Sequence, residues 1–345
     1  MNVSIVIPLY NKARHIQRAL NSITAQTYGA FEVIVVDDGS TDGGEAIVSQ
    51  SRDPRIRLIS QTNSGVSAAR NRGVSEARCE HIAFLDADDE WHPDFLCTVL
   101  DLRERFPQAK IWATGFCYSD AGAITRNRFN QSHAVTDSNG FILDTFFTEV
   151  ATWTAFLPSC VSISKTELLA VGGFPVGVEK MEDGDTWLRM ALRYPIAWTP
   201  LNKVIIYADA DNRTEEYSWI GVWPFFESVR EYVEKDRPTA ALPDAFYSSL
   251  AQGQTALFRH NLLAHNRSAI IEISKDCRHI PGFWFKCNMW YTLSFVPHSL
   301  VILIWKLKSW FVGRGWNVPQ PRFRSIRRPA MFGRSRPDLR NKNGD

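Results

Sequence analysis

Phe84-Leu85-Asp86-Ala87-Asp88-Asp89-Glu90-Trp91 runs an apolar stretch straight into a burst of acids. Ile82, Phe84 and Leu85 read as a buried strand, and Asp86, Asp88, Asp89 and Glu90 emerge where it ends. Carboxylates this dense repel one another unless positive charge sits among them, and a hard divalent cation with oxygen ligands answers that need. Such a cation would in turn hold a phosphate. The Asp-x-Asp triplet proves little alone. With 21 Asp in 345 residues chance supplies about one, and this chain has three, at Asp86/Asp88, Asp183/Asp185 and Asp209/Asp211. Its place at the end of an apolar strand singles out the first.

Working outward, Ser4-Ile5-Val6-Ile7-Pro8 and Phe31-Glu32-Val33-Ile34-Val35-Val36 have the nearly continuous apolar character of strands buried on both faces of a parallel sheet. Residues 55–59 form a third strand and 82–85 a fourth. Between them Asn11 is expected to cap a helix with Ile16, Leu20 and Ile23 on one face, Asp42 and Glu45 have the form of a capping box, and 67–78 read as a helix weakened by Gly73. Strand–helix alternation implies right-handed crossovers and a sheet covered on both faces, with ligands beyond the carboxyl ends of the strands. Four polar clusters fall at that edge, at 8–11, 37–40, 63–65 and 86–89, and four together outweigh any one.

The pattern continues with a helix to Phe106 and a strand over 111–118. Residues 119–138 read as a loop or ragged hairpin over the site, 141–147 as a helix, 160–163 as a strand, and Gly172-Gly173-Phe174-Pro175 as a break. Glu182-Asp183-Gly184-Asp185 opens another helix, followed by a strand at 204–207. From about Glu215 the strand signals stop and the chain reads as helical.

Six cysteines without Cys-x-x-Cys spacing read as reduced thiols, several of them buried, in a cytosolic protein. The first strand is too short and too strand-like for a secretory signal. Net charge +2 conceals a basic tail: residues 306–345 carry +9 and the first 305 carry −7. The aromatic stretch 283–311 lacks the roughly 20 apolar residues of a bilayer span. Trp284, Trp290, Tyr291, Trp305 and Trp310 before a basic tail suit a segment lying on an anionic membrane surface instead. No nucleic-acid-binding module is readable in the tail.

Ile5-Val6-Ile7-Pro8-Leu9-Tyr10-Asn11, Val35-Val36-Asp37-Asp38-Gly39-Ser40-Thr41-Asp42, the run from Asn63 to Gly73, Phe84-Leu85-Asp86-Ala87-Asp88-Asp89, Gly172-Gly173-Phe174 and Glu182-Asp183-Gly184-Asp185-Thr186-Trp187 occur in order. As a set they resemble the family 2 glycosyltransferases over residues 3 to about 207. The resemblance implies an α/β GT-A fold, Rossmann-like, with a mostly parallel sheet flanked by helices. The organisation it suggests is a transferase domain at 1–214, a helical extension at 215–312 and a disordered basic tail at 313–345.

The same resemblance implies inverting transfer from a nucleotide-sugar donor. Pro8 and Tyr10 would edge the nucleotide pocket, and Asp38 would accept a hydrogen bond from the base, which favours uracil. Asn63 and Arg70 would touch the nucleotide. Asp86 would hold the ribose or stay near the metal, and Asp88 would ligate Mn2+ or Mg2+ at the diphosphate. Asp183 would be the general base on an acceptor hydroxyl; taken alone, Glu182 and Asp183 are also what a helix N-terminus attracts. Trp187 could line an acceptor pocket or belong to the core. Many relatives carry a His some 25 residues after the base, whereas 207–213 here read Tyr-Ala-Asp-Ala-Asp-Asn-Arg, leaving Asp209, Asp211 or Arg213 to serve.

The expected partners are a nucleotide-sugar, a glycan or lipid-linked acceptor in surface polysaccharide synthesis, and the inner face of the cell membrane. A sugar nucleotidyltransferase is disfavoured because Pro8-Leu9-Tyr10-Asn11-Lys12 is not the Gly-rich loop it needs. A degenerate, non-catalytic relative is disfavoured by the presence of Asp38, Asp88 and Asp183.

Overall fold

The apolar runs become strands and the amphipathic stretches cover them. In chain order, β1 (Val3–Leu9), α1 (Ala13–Thr24), β2 (Phe31–Asp37), α2 (Gly44–Ser49), β3 (Ile56–Ser60), α3 (Val66–Glu76) and β4 (His81–Phe84) form three strand–helix–strand units. Next come the short β5 (Glu90–Trp91), α4 (Phe95–Arg105), β6 (Ile111–Asp120), β7 (Ala123–Arg126) and β8 (Phe141–Ile142). A 3-10 turn (Pro158–Cys160) leads into β9 (Val161–Ser164), α5 (Lys165–Ala170), α6 (Glu182–Ala191) and β10 (Ile196–Tyr207). Beyond these lie α7 (Arg267–Asp276) and α8 (Trp284–Leu293). This is a computed structural model; it describes residues 3–120, 122–126, 140–143, 157–178, 181–207, 258, 261–263, 266–276, 284–297 and 299–300.

The strand order is β3-β2-β1-β4-β9-β6-β10-β5, with β7 on β6 and β8 on β10. Strands β3, β2, β1 and β4 run parallel, and β6 and β10 continue in that direction; β9 is inserted antiparallel between β4 and β6. The Val and Ile side chains of β1 and β2 are fully buried on both faces, as a doubly covered parallel sheet requires. Each such side chain contributes roughly 1.5–3 kcal/mol relative to exposure.

Gly73 is a point of close approach rather than a weak point. A Cβ there would lie 2.3 Å from Val6 Cγ1, so the glycine lets α3 settle onto β1.

Several local expectations change. Asn11 does not cap α1; it takes a left-handed conformation (φ 51°), and Asp42 reaches across to accept from the Ala13 N–H at 2.7 Å. The other oxygen of Asp42 accepts from Gly44 N–H at 3.0 Å, so one carboxylate serves the first turns of two helices. Glu45 accepts from the Ser60 hydroxyl instead of closing a capping box. Phe141–Ile142 is a strand pairing with β10, because Phe141 packs edge-on against buried Trp198; residues 144–147 lie outside the described residues. The expected ragged hairpin begins as β6–β7, and its continuation from 127 lies outside them too. Cys117 and Cys160 are buried, but Cys97 is exposed.

Parallel pairing brings Leu9 level with Asp37, Asp37 level with Ser60, and Val6 level with Phe84. The chain therefore leaves β1, β2, β3 and β4 along one edge of the sheet. Strand β9, running the opposite way, delivers the Pro158–Cys160 turn to that edge.

Candidate active site

At this edge Asp38 is almost fully buried. Its Oδ1 accepts from Gln61 Nε2 (2.8 Å) and Ser64 N (2.9 Å), and its Oδ2 from Gly65 N (2.8 Å). A carboxylate has about four acceptor positions, so one remains for a further N–H. Asn11 Oδ1 accepts from Thr41 N at 2.9 Å, and Ser40 Oγ accepts from Asn11 N at 3.1 Å, which ties the turns after β1 and β2 together. Tyr10 is left 46% exposed at the rim, with Pro8 half-buried beside it. Asn63 is exposed, and its backbone N would stand 3.1 Å from a Cβ at Gly39, itself at φ +77°.

The acidic turn after β4 is held from below by Ser159. The Ser159 hydroxyl donates to Asp89 and accepts from Asp86 N at 3.0 Å, while its carbonyl takes the indole N–H of Trp91 at 2.7 Å. Asp88 Oδ2 meets Lys12 Nζ at 2.7 Å, and Arg18 donates to the Asp88 carbonyl at 2.6 Å from beneath the ring of Tyr207. Asp89 and Glu90 support the turn: Asp89 through Ser159, and Glu90 by accepting from the Tyr207 hydroxyl at 2.6 Å.

Arg70 crosses from α3 to α6. Its Nη2 donates to Asp86 Oδ1 at 2.9 Å and its Nη1 to Glu182 Oε1 at 2.8 Å. The next residue, Asn71, clamps both the N–H (2.8 Å) and the carbonyl (2.7 Å) of Phe174. Arg189 donates to the carbonyls of Val171 and Gly173 and pairs with Asp185 at 2.8 Å, so the Gly172-Gly173 turn is fastened to α6 as well. Trp187 is core: its ring packs on Phe174 (5.7 Å between centroids) and Phe84 (6.4 Å). Met181, at φ 64°, turns the chain into α6 and brings Glu182 and Asp183 to the same edge.

The electrostatics follow from this crowding. Burial pushes the Asp183 carboxyl up to about 7, Glu182 adds repulsion, and Arg70 opposes both. Asp86 is also raised, by burial first and by Asp88 and Glu182 after it, against the pull of Arg70. The donor set fits a divalent cation. Asp86 and Asp88 stand two residues apart on the turn, and the Arg70 and Lys12 pairs leave one oxygen on each. Mg2+ and Mn2+ take one or two carboxylates and complete their shell with phosphate and water. Among the described residues no cluster of three or more such ligands occurs. Asp209, Asp211 and Arg213, considered as substitutes for the expected His, lie outside them.

Sequence reasoning placed Asp38, Asp86, Asp88 and Asp183 on this edge but missed Lys12, Asn71 and Ser159. Lys12 follows the Tyr10-Asn11 turn and was visible as a cation near the edge; Ser159, in Leu-Pro-Ser-Cys, carries no signal.

Residues 4–153 match the profile described as Glycosyl transferase family 2. Over this segment, less than half of the chain, the sequence resembles the family 2 glycosyltransferases. The sequence is similar to an uncharacterized glycosyltransferase of Nostoc sp., 41% identical over 105 residues, which are 30% of this chain and 33% of that protein. It is similar also to the amylovoran biosynthesis glycosyltransferase AmsB of Erwinia amylovora, 40% identical over 110 residues, 30% of this chain and 36% of AmsB. The matches thus span about a third of the length of these curated relatives. The fold is that of S. aureus TarS 1–349 solved with UDP-GlcNAc, with a TM-score of 0.68 at 18% identity over 92% of this chain and 93% of that one. The fold is therefore the expected GT-A architecture.

Proposed function

We propose that the chain is an inverting glycosyltransferase that moves a sugar from a UDP-linked donor to an acceptor hydroxyl. The observation that carries this is the union of the two acidic motifs: Asp86 and Glu182, far apart in sequence, share Arg70, and Asp183 sits beside them with its carboxyl raised to about 7. A carboxylate so tuned is a competent base at neutral pH.

Asp183 takes the proton of the acceptor hydroxyl as that oxygen attacks the sugar C1. The C1–O bond to the nucleoside diphosphate breaks on the opposite face, which inverts the centre and needs no protein nucleophile. Tyr10 and Pro8 edge the base, Asp38 offers its remaining acceptor position to a uracil N–H, Asn63 lies at the same rim, and Asp86 faces the ribose with Arg70 acting through it. Asp88, with Asp86 beside it, would hold Mn2+ or Mg2+. When bound, that ion offsets the charge appearing on the departing diphosphate. TarS holding UDP-GlcNAc in a similar fold supports a UDP-sugar as donor.

We assign the transferase domain to 1–214, the helical extension to 215–312 and the basic tail to 313–345. Met289, Phe295 and Leu300 are exposed apolar side chains in the described part of the extension. No helix among the described residues is long and apolar enough to cross a membrane. The exposed apolar side chains and the basic tail support docking on the inner face of the cell membrane and a lipid-linked glycan acceptor, as expected for surface polysaccharide synthesis. Binding of UDP and UDP-sugars by calorimetry with and without Mn2+, then transfer to lipid-linked and soluble acceptors with and without residues 283–345, tests this. Equal rates on both acceptors contradict the membrane part; no binding of any UDP-sugar contradicts the donor.

A further inference from the structure

We infer that Arg70 is a positioning residue that welds the base helix to the acidic turn after β4, and not a direct ligand of the nucleotide. The inference rests on the transferase reading above and assigns one residue of that site a different job.

The guanidinium is 3% exposed, and both Nη groups are engaged, one on Asp86 and one on Glu182. Its Nε is buried without a hydrogen-bond partner. The group also lies over the face of Phe174, 5.3 Å from the ring centroid. A planar fork suits this bridging; a nucleotide contact would require it to leave one carboxylate buried and unpaired. Neighbouring Asn71 holds the Phe174 backbone, so a single turn of α3 fixes the glycine turn, the entry to α6 and the Asp86 side chain together.

The consequence falls on the join between the two acidic motifs. Losing the guanidinium leaves Asp86 and Glu182 without their common partner, so the entry to α6 and the turn after β4 are no longer held together.

The experiment compares wild type, R70Q and R70K. UDP affinity is measured by calorimetry with Mn2+, turnover of UDP-GlcNAc is measured at saturating donor, and thermal unfolding is followed for each. The expected result is that R70Q leaves the UDP Kd within about threefold while saturated turnover falls by about tenfold or more. R70K, which keeps the charge but not the fork, should recover part of that loss. A fall of about tenfold or more in UDP affinity with saturated turnover unmoved overturns the inference and makes Arg70 a nucleotide ligand. If R70Q does not fold, R70K decides by the same two readings. If wild type binds no UDP, the donor reading fails, and a Tm lowered in R70Q and partly restored in R70K still decides whether Arg70 bridges the two motifs.

Discussion

Lys12 Nζ lies 2.7 Å from Asp88 Oδ2, so the carboxylate proposed to meet a divalent cation already has a resident one. Both side chains are largely shielded from solvent, which makes their attraction less screened than at an open surface. Removing the ammonium should make the turn more attractive to another cation. Lys12→Met is expected to tighten Mn2+ binding to the ligand-free protein by about tenfold, at roughly 1.4 kcal/mol per factor of ten. Titration followed by the Mn2+ electron spin resonance signal reads this directly. Unchanged or weaker binding would show that Asp88 is not the carboxylate the ion meets.

Asp183 makes the protein's stability depend on pH in a defined sense. Its folded carboxyl stands at about 7 against an ordinary value of 3.8, so the folded state holds the proton longer than the unfolded chain. Stability from this group is present at low pH and is lost as pH rises from about 4 through about 7. Asp183→Asn should therefore raise the Tm at pH 8 and change it little at pH 4. Equal shifts at both pH values would mean that the carboxyl is not raised.

Ser159 is the hidden support of the acidic turn. Ser159→Ala removes the hydroxyl that donates to the buried Asp89 carboxylate and takes the acceptor from the Asp86 N–H, at a cost of about 1–3 kcal/mol. Chemical denaturation should show this loss, and UDP affinity should fall with it as Asp86 loosens. A variant as stable as wild type would remove Ser159 from its supporting role.

The contact between α3 and β1 is similarly exposed to test. Gly73→Ala must displace Val6 in a close-packed core, at about 1–3 kcal/mol. A melting temperature equal to that of wild type would show that the helix can move away without cost.

The reach of sequence reasoning follows from which contacts are local. Val33 to Val36 announce a strand buried on both faces because burial is written into each residue, and the acids at Asp37 and Asp86 mark where it ends. The reversed β9 is invisible because a four-residue strand reads alike in either direction. Phe141 and Ile142 suggest a helix until Trp198, far along the chain, gives them an edge to join. The role of Arg70 depends on Glu182, 112 residues away, and no spacing rule connects them. Asp42 takes on the duty expected of Asn11 because the cap of α1 comes from a neighbouring loop, not from the adjacent residue. Within the motifs, residue type announced the chemistry; the pairing of the motifs needed the fold.

The central claim is that Asp183 is the base in sugar transfer from a UDP-linked donor. It is tested most directly by UDP release from UDP-GlcNAc in the presence of Mn2+, measured from pH 5.5 to 9 for wild type and Asp183→Asn alongside their UDP affinities. Wild-type release should rise through about pH 7. Asp183→Asn should release UDP at least about 100-fold more slowly at every pH while binding UDP as well as wild type. Release at the same rate from both proteins would contradict the claim.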